Sequence, residues 1–308
     1  MKIAVCVCTC NRPEQLDRLF GVLAKIDIPE NCGVFIQVVD NAPDGRARAV
    51  FERQTSSLPV PIYFAEEPQR GISFSRNRAV AEALARSADL ISFIDDDDMP
   101  RPDWLVALVA VQSRTKAPIV FGLYDLPSVL LPDWMREVRP YRKPIIEQLN
   151  RFGFPVWASS RNVLLRRDLL ETIASDEGVL FRPAFALTGS EDTDFFIRAL
   201  QRDSGYATAP QSIVTLGLSA ERMTLRGVLR LGYRFGACGV LLDRYHKAPE
   251  QFRRDRLKRI LSFPKLLLPL LRIPSNRQRG AFVTGLYELS KRLGEISASV
   301  GKPFRYYR

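Results

Sequence analysis

The chain has 308 residues, of which 46% are hydrophobic and 26% charged, with a net charge of +11. That length holds one large α/β domain or one domain with a helical extension, and neither an internal repeat nor a low-complexity segment is present. The 5 cysteines are odd in number and lack the paired CxxC spacing of thiolate metal sites, so they read as reduced, mostly buried small residues. The charge is unevenly spread: residues 219–308 carry 20 Lys and Arg against 6 Asp and Glu, while residues 1–218 carry 25 against 28.

Met1-Lys2 leads directly into Ile3-Ala4-Val5-Cys6-Val7, too short for a signal-peptide core, so Lys2 to Cys8 is expected to be a buried strand of a cytoplasmic protein. Pro13 opens a helix running to Leu23 with apolar residues at helical spacing, and Val34 to Val39 is a second strand. Ile62 to Ala65 is a short strand, and Ser73 to Ala85 a helix with Ala79, Val80, Ala83 and Leu84 inward. Leu90 to Ile94 is the next strand. Such alternation predicts parallel pairing with right-handed crossovers and a ligand at the carboxyl ends of the strands. The polar clusters Thr9-Cys10-Asn11-Arg12, Asp40-Asn41 and Asp95 to Asp98 fall at those ends.

Four consecutive carboxylates, Asp95-Asp96-Asp97-Asp98, repel one another unless a cation neutralises them. Strand alternation predicts Asp95 and Asp97 on one side and Asp96 and Asp98 on the other. Two carboxylates so spaced can share one hard cation, Mn2+ or Mg2+, which keeps positions open for phosphate oxygens. An acidic strand-to-loop turn is the simpler alternative. The spacing is not that of a calcium EF-hand.

Residues 117–218 are less regular. Pro118 to Gly122 and Ser159 to Leu165 resemble strands, while Asp133-Trp134-Met135 and Pro155-Val156-Trp157 lie in Pro-rich connections suited to a pocket wall. Trp157 is a candidate sugar contact, with a core position as the alternative. Glu191-Asp192-Thr193-Asp194 precedes a helix from Phe195 to Leu200, where a carboxylate can either cap the helix or act as a base. Leu257 to Arg272 mixes large apolar residues with Lys and Arg; it is too short and too charged to span a bilayer. It is expected to lie in the plane of an anionic membrane surface, the alternative being a core-covering helix with a solvated basic face. His246, the one histidine, reads as a surface residue.

Taken in order, five motifs resemble those of the family-2 glycosyltransferases of the GT-A fold. They are Val7-Cys8-Thr9-Cys10-Asn11-Arg12, Val38-Val39-Asp40-Asn41, Gly71-Ile72-Ser73-Phe74-Ser75-Arg76-Asn77, Phe93 to Asp98, and Gly189-Ser190-Glu191-Asp192-Thr193-Asp194-Phe195-Phe196. The form of the last is most similar to bacterial exopolysaccharide enzymes of the succinoglycan glucosyltransferase type. The resemblance covers roughly residues 1–220. It implies an α/β nucleotide-diphospho-sugar transferase domain over 1–218, with a Rossmann-like, mostly parallel sheet, a nucleotide-binding half (1–116) and an acceptor-binding half (117–218). Residues 219–308 would form a basic, helical, membrane-associating extension.

By the same resemblance Thr9, Asn11, Arg12 and Asp40 line the nucleotide pocket, Asp40 accepting from the uracil imide, and Arg76 and Asp96 lie near the nucleotide or its diphosphate. Asp95 and Asp97 form the DxD pair that holds the ribose and the Mn2+ or Mg2+ of the donor, Asp192 is the general base with Glu191 beside it, and Trp157 and Asn162 lie on the acceptor side. The implied reaction is inverting, metal-dependent, non-processive transfer of a hexose from a UDP-sugar, UDP-glucose foremost, to a lipid-linked saccharide. The enzyme would be peripheral on the inner face of the bacterial plasma membrane, with no nucleic-acid partner. Two features depart from the pattern: the Gln-x-x-Arg-Trp signature of processive synthases is missing, and Thr215 stands where relatives often carry a metal-binding His. A nucleotidyltransferase or retaining transferase on a similar sheet, and a non-catalytic basic module binding nucleic acid or membrane, are the competing readings.

Overall fold

Short apolar runs and amphipathic helices alternate along the chain, and in this computed structural model eight of those runs hydrogen-bond into one sheet. The structure describes residues 1–126, 131–136, 138, 141, 148–202, 205–261 and 279–301. The elements begin with β1 (Lys2–Thr9), α1 (Pro13–Leu23), β2 (Gly33–Asp40), α2 (Arg46–Gln54), β3 (Ile62–Glu66) and α3 (Ile72–Ala85). Then come β4 (Leu90–Asp95), β5 (Met99–Pro100), α4 (Trp104–Thr115), β6 (Ile119–Asp125), α5 (Asp133–Arg136), β7 (Val163–Arg166) and α6 (Arg167–Glu177). The chain continues through α7 (Glu191–Gln201), β8 (Tyr206–Thr215), α8 (Leu225–His246), α9 (Pro249–Leu261) and α10 (Arg279–Ser299).

The strand order is β3-β2-β1-β4-β7-β6-β8-β5. β1 runs parallel to β2 and β4, β2 to β3, and β6 to β8. β7 is antiparallel to both its neighbours, and β5 to β8. This reversal positions the site. Val163, the first residue of β7, pairs with Phe93 near the end of β4, so the loop leading into β7 joins the edge where β1, β2 and β4 end.

Side-chain alternation divides the core between the two faces of the sheet. Ile3, Val5 and Val7 pack with Leu16, Leu19, Phe20 and Leu23 of α1 and with Trp104, Leu105 and Leu108 of α4. Each such side chain contributes about 2 kcal/mol relative to remaining exposed. Pro13 begins α1 because its fixed φ suits a first helical turn, where an N–H lacks a partner anyway. On the other face the Cys6 thiol donates to the Ala79 carbonyl of α3 at 3.7 Å. There Phe121 meets Phe196 edge-on at 4.8 Å and Phe93 meets Phe181 at 5.9 Å. All five cysteines are free thiols.

The chain divides into two compact units. One comprises Met1–Asp125, Pro144–Ala186 and Glu191–Gly217 and carries the sheet; the other comprises Leu126–Lys143, Leu187–Ser190 and Leu218–Arg308. Within the second, α8 and α10 pack backbone to backbone in the same direction. A Cβ on Gly236 would lie 1.9 Å from the Lys291 carbonyl oxygen, and one on Gly294 2.0 Å from that of Tyr233. Only glycine permits such an approach. The Ser290 hydroxyl adds a bond to the Leu229 carbonyl at 2.7 Å.

Several boundaries differ from the sequence expectation. The helix expected from Phe195 begins at Glu191, because Glu191 and Asp194 are buried, ion-paired members of its first turn. The strand expected from Ser159 begins at Val163, because Ser160 and Arg161 instead direct their side chains to carboxylates. Asp133 to Met135, expected in a connection, lies in the short helix α5. The basic, apolar run expected over 257–272 enters α9 as far as Leu261, and its remainder lies outside the described residues.

Candidate active site

The carboxylate run does not continue the strand alternation. β4 ends at Asp95 and the chain turns, with the Asp98 N–H donating to the Asp95 carbonyl at 3.2 Å. Asp95, Asp97 and Asp98 therefore gather on one side, with carboxylate oxygens within 4.8 Å of one another. Asp96 turns away. It accepts from the Thr9 hydroxyl at 2.8 Å and from Arg12 Nη1 at 3.0 Å, and burial pushes its carboxyl up to about 6 against the pull of Arg12. The expected pairing of Asp95 with Asp97 is present, whereas Asp98, expected on the opposite side, joins them and Asp96 stands apart.

Asp98 is fully buried, and burial pushes its carboxyl up to about 8, opposed by Arg161. Its Oδ1 also accepts the Gly217 N–H at 3.2 Å. A Cβ on Gly217 would lie 1.9 Å from the Asp97 carbonyl oxygen, so glycine lets the segment after β8 close against the acidic turn. Three carboxylates presenting hard oxygens over this span are a donor set for Mn2+ or Mg2+, and the residues fit such an ion.

Three arginines serve these acids. Arg12 also reaches Asp97 Oδ2 at 3.3 Å. Arg76, from the first turn and a half of α3, is 5% exposed; its guanidinium pairs with Glu191 and reaches Asp95 Oδ1 at 3.3 Å, beside the rings of Phe93 and Phe181. One side chain thus ties the end of β4 to the start of α7. Burial opposes the Arg76 charge, but Glu191 and Asp95 outweigh it and hold the group protonated above its ordinary value. Arg161, beside β7, was not among the sequence candidates, and its contacts are with Asp95, Asp97 and Asp98 together. The Ser160-Arg161-Asn162 tripeptide is visible in the sequence, but its targets depend on the reversed direction of β7.

Asp192 is the second residue of α7. Its Oδ2 accepts from the Ser160 N–H and hydroxyl at 3.3 Å each, and its Oδ1 from the Thr193 N–H at 2.7 Å. Behind it Asp194 is fully buried between Arg182 at 2.9 Å and Arg198 at 3.0 Å, which fixes the first turn. At the end of β2, Asp40 is 1% exposed; its Oδ1 accepts the Ala42 N–H at 2.9 Å and its Oδ2 has no hydrogen-bond partner among the described residues. Burial raises the Asp40 carboxyl above its usual range, against the Ala42 amide. Asn11 is exposed and adopts φ 56°, a conformation Asn tolerates. Burial lifts the Cys8 thiol to about 12, so it supplies no thiolate here.

Two acceptor-side candidates lie in the core instead. Trp157 is 3% exposed and meets Phe121 edge-on at 6.2 Å, because the Pro-rich segment folds its ring inward beside the phenylalanine layer. Asn162 is 4% exposed, its Nδ2 donating to the Leu123 and Ser212 carbonyls at 2.9 and 3.1 Å and its Oδ1 accepting from the Ser212 hydroxyl. It joins β6 to β8 where their register shifts. Thr215 ends β8 opposite Met99.

Comparison with known proteins places this geometry in context. The glycosyl transferase family 2 sequence model matches residues 4–174. The succinoglycan biosynthesis protein ExoM of Rhizobium meliloti (strain 1021) is 29% identical over 248 residues, 77% of this chain and 73% of that protein. Among solved structures, the mannosyltransferase PcManGT of Pyrobaculum calidifontis, in complex with GDP-Man and Mn2+, superposes with a TM-score of 0.59 at 16% identity, over 95% of this chain and 86% of that one. The S. aureus TarS 1-349 fragment in complex with UDP gives 0.52 at 19% identity, over 100% of this chain and 93% of that one. This chain spans 55% of the longer TarS chain. These likenesses show the GT-A fold.

Proposed function

Because the chain belongs to glycosyl transferase family 2 and is a glycosyltransferase, we propose that it moves one hexose from a UDP-sugar, UDP-glucose foremost, to a hydroxyl of a lipid-linked saccharide, with inversion and with Mn2+ or Mg2+. The observation that carries this reading is the Arg76 bridge, which holds Asp95 at the end of β4 against Glu191 at the acidic start of α7. The ExoM likeness supports an acceptor from polysaccharide assembly, and the UDP complex of TarS supports a uridine donor.

Each group then has a task. Asp40 Oδ2, a buried oxygen without a hydrogen-bond partner among the described residues, accepts from the uracil N3–H, and Asn11 lines the same pocket. Asp95, Asp97 and Asp98 would hold the divalent ion, which would supply positive charge for the departing diphosphate. Asp192, held from two sides by Ser160 and Thr193, takes the proton of the acceptor hydroxyl. As that oxygen bonds to the anomeric carbon, the bond from that carbon to the diphosphate oxygen breaks and its electron pair leaves with UDP. A single displacement inverts the centre. Glu191 is committed to Arg76 and acts by positioning it.

Residues 219–308 serve in this reading as the membrane-associating extension on the inner leaflet. No helix among the described residues is long and apolar enough to cross a membrane. α9 has no buried residue, and Leu257 and Leu261 are 57% and 69% exposed beside Arg253, Arg254, Arg256 and Lys258.

The test is turnover of a nucleotide-sugar panel with Mn2+, comparing the unaltered protein with Asp97→Asn and Asp192→Asn. One UDP-sugar should be turned over, and Asp192→Asn should lower kcat by about a thousandfold while UDP still binds. A normal rate for Asp192→Asn removes it as the base, and a product of retained configuration removes the single displacement.

A further inference from the structure

The three carboxylates assigned to the metal already surround a cation of the protein's own. Arg161 Nε lies 2.8 Å from Asp98 Oδ2 and 3.1 Å from Asp95 Oδ2, while its Nη2 lies 2.7 Å from Asp98 Oδ1 and 2.9 Å from Asp97 Oδ1. The three acids whose oxygens converge are thus gathered on one guanidinium. Burial opposes the Arg161 charge, but Asp98, Asp95 and Asp97 outweigh that and hold it protonated. Arg12 and Arg76 differ in this respect: Arg12 engages Asp96 and Asp97, and Arg76 engages Asp95 and Glu191. Neither spans the set.

A guanidinium and a divalent ion compete for the same carboxylate oxygens. Each hydrogen bond that Arg161 makes occupies a lone pair on one of them, and like charges a few ångströms apart repel. The Arg161 side chain is 21% exposed and belongs to the loop ahead of β7, so it is neither sealed in the core nor fixed in the sheet. Once turned away it requires another anion, and a diphosphate offers the bidentate partner that guanidinium favours.

From this we infer that Arg161 is a resident counter-cation of the metal site. In the free enzyme it holds Asp95, Asp97 and Asp98 together in place of the ion; on loading it moves from the carboxylates to the donor's diphosphate, so that metal and nucleotide enter together. Arg161 is a positioning residue toward the metal. The inference rests on the metal-assisted reading above, but its direct consequence concerns the ion alone.

Mn2+ binding to the full chain, read from the electron paramagnetic resonance signal of free Mn2+ and from titration calorimetry, with and without UDP, tests it. Without UDP, Arg161→Gln should bind Mn2+ at least about tenfold more tightly than the unaltered protein, because a competing charge a few ångströms away is gone. Arg161→Lys, which keeps a charge but not the fork, should fall between them and serves as the readout if Arg161→Gln does not fold by circular dichroism. UDP should strengthen Mn2+ binding more in the unaltered protein than in either variant. Equal or weaker Mn2+ binding by the substituted proteins overturns the inference. Failure of the functional reading looks different: no nucleotide sugar is turned over and UDP does not affect Mn2+ binding, whatever the Arg161 variants do.

Discussion

Asn162 shows how far a single side chain can be committed to the frame. Its amide closes two carbonyls and one hydroxyl from β6 and β8 in a place that water does not reach. Asn162→Ala should therefore cost about 2–3 kcal/mol in urea unfolding, since it leaves those groups unsatisfied. A change in acceptor KM without loss of stability would restore Asn162 to the acceptor side. At this scale the sequence was informative where chemistry is local: a run of Asp after an apolar strand announces a charged site whatever surrounds it. It was silent where chemistry is relational. Asp96 and Asp98 look equivalent in the sequence, yet the turn after Asp95 sends one to Thr9 and the other to Arg161. Trp157 reads as a sugar platform only until Phe121 is placed beside it.

Among the elements, α7 carries the heaviest demands, because its first turn presents the proposed base. It is anchored from below by Glu177 at the end of α6, which accepts from Arg182 at 2.9 Å, Arg198 at 3.1 Å and Arg202 at 2.7 Å. Burial alone would raise the Glu177 carboxyl; Arg202, Arg198 and Arg182 together hold it below its ordinary value of 4.5. A depressed folded-state value means that its stabilisation is complete above the ordinary value and is lost as pH falls through the folded one. Glu177→Gln should cost about 1–3 kcal/mol near neutral pH. That deficit should shrink in urea unfolding as the pH drops below 4.5, and a deficit independent of pH would remove the charge from the explanation.

The elements recognisable in advance were those with clean periodicity. α1 from Pro13 to Leu23, and the strands before and after it, agree with the sequence expectation to within about two residues. α4 was not recognised because Trp104-Leu105-Val106-Ala107-Leu108-Val109-Ala110-Val111 is apolar on every side and gives no helical stripe. β8 was hidden by Pro210, which is accommodated where the pairing jumps from Gly122 opposite Ala209 to Leu123 opposite Ile213. In α8 and α10 glycines mark an interface, although glycine by propensity argues against a helix. Gly236→Leu should disrupt that pair and lower the thermal midpoint, whereas Gly285→Ala, with open space at its Cβ, should leave it unchanged or raise it.

Across the whole molecule the charges are divided by task. The converging carboxylates belong to the sheet-bearing unit, while the Lys and Arg excess belongs to residues 219–308. The full chain should therefore sediment with phosphatidylglycerol vesicles and not with phosphatidylcholine ones, and salt should release it. Leu257→Asp combined with Leu261→Asp should weaken that binding by about tenfold or more, since both side chains are exposed on α9. Binding to RNA without binding to these vesicles would instead favour a nucleic-acid role for the basic region.

The reversed direction of β7 also bears on how this protein can vary in length. Three successive residues ahead of that strand point to three separate duties: Ser160 to Asp192, Arg161 to the convergent acids, Asn162 to the join between β6 and β8. Inserting or deleting one residue there would misassign all three at once, whereas the stretch from Pro43 to Gly45, beyond the Ala42 amide that holds Asp40, can gain or lose residues with only local effect. Close homologues should accordingly show gaps after β2 and none between Ser160 and Val163.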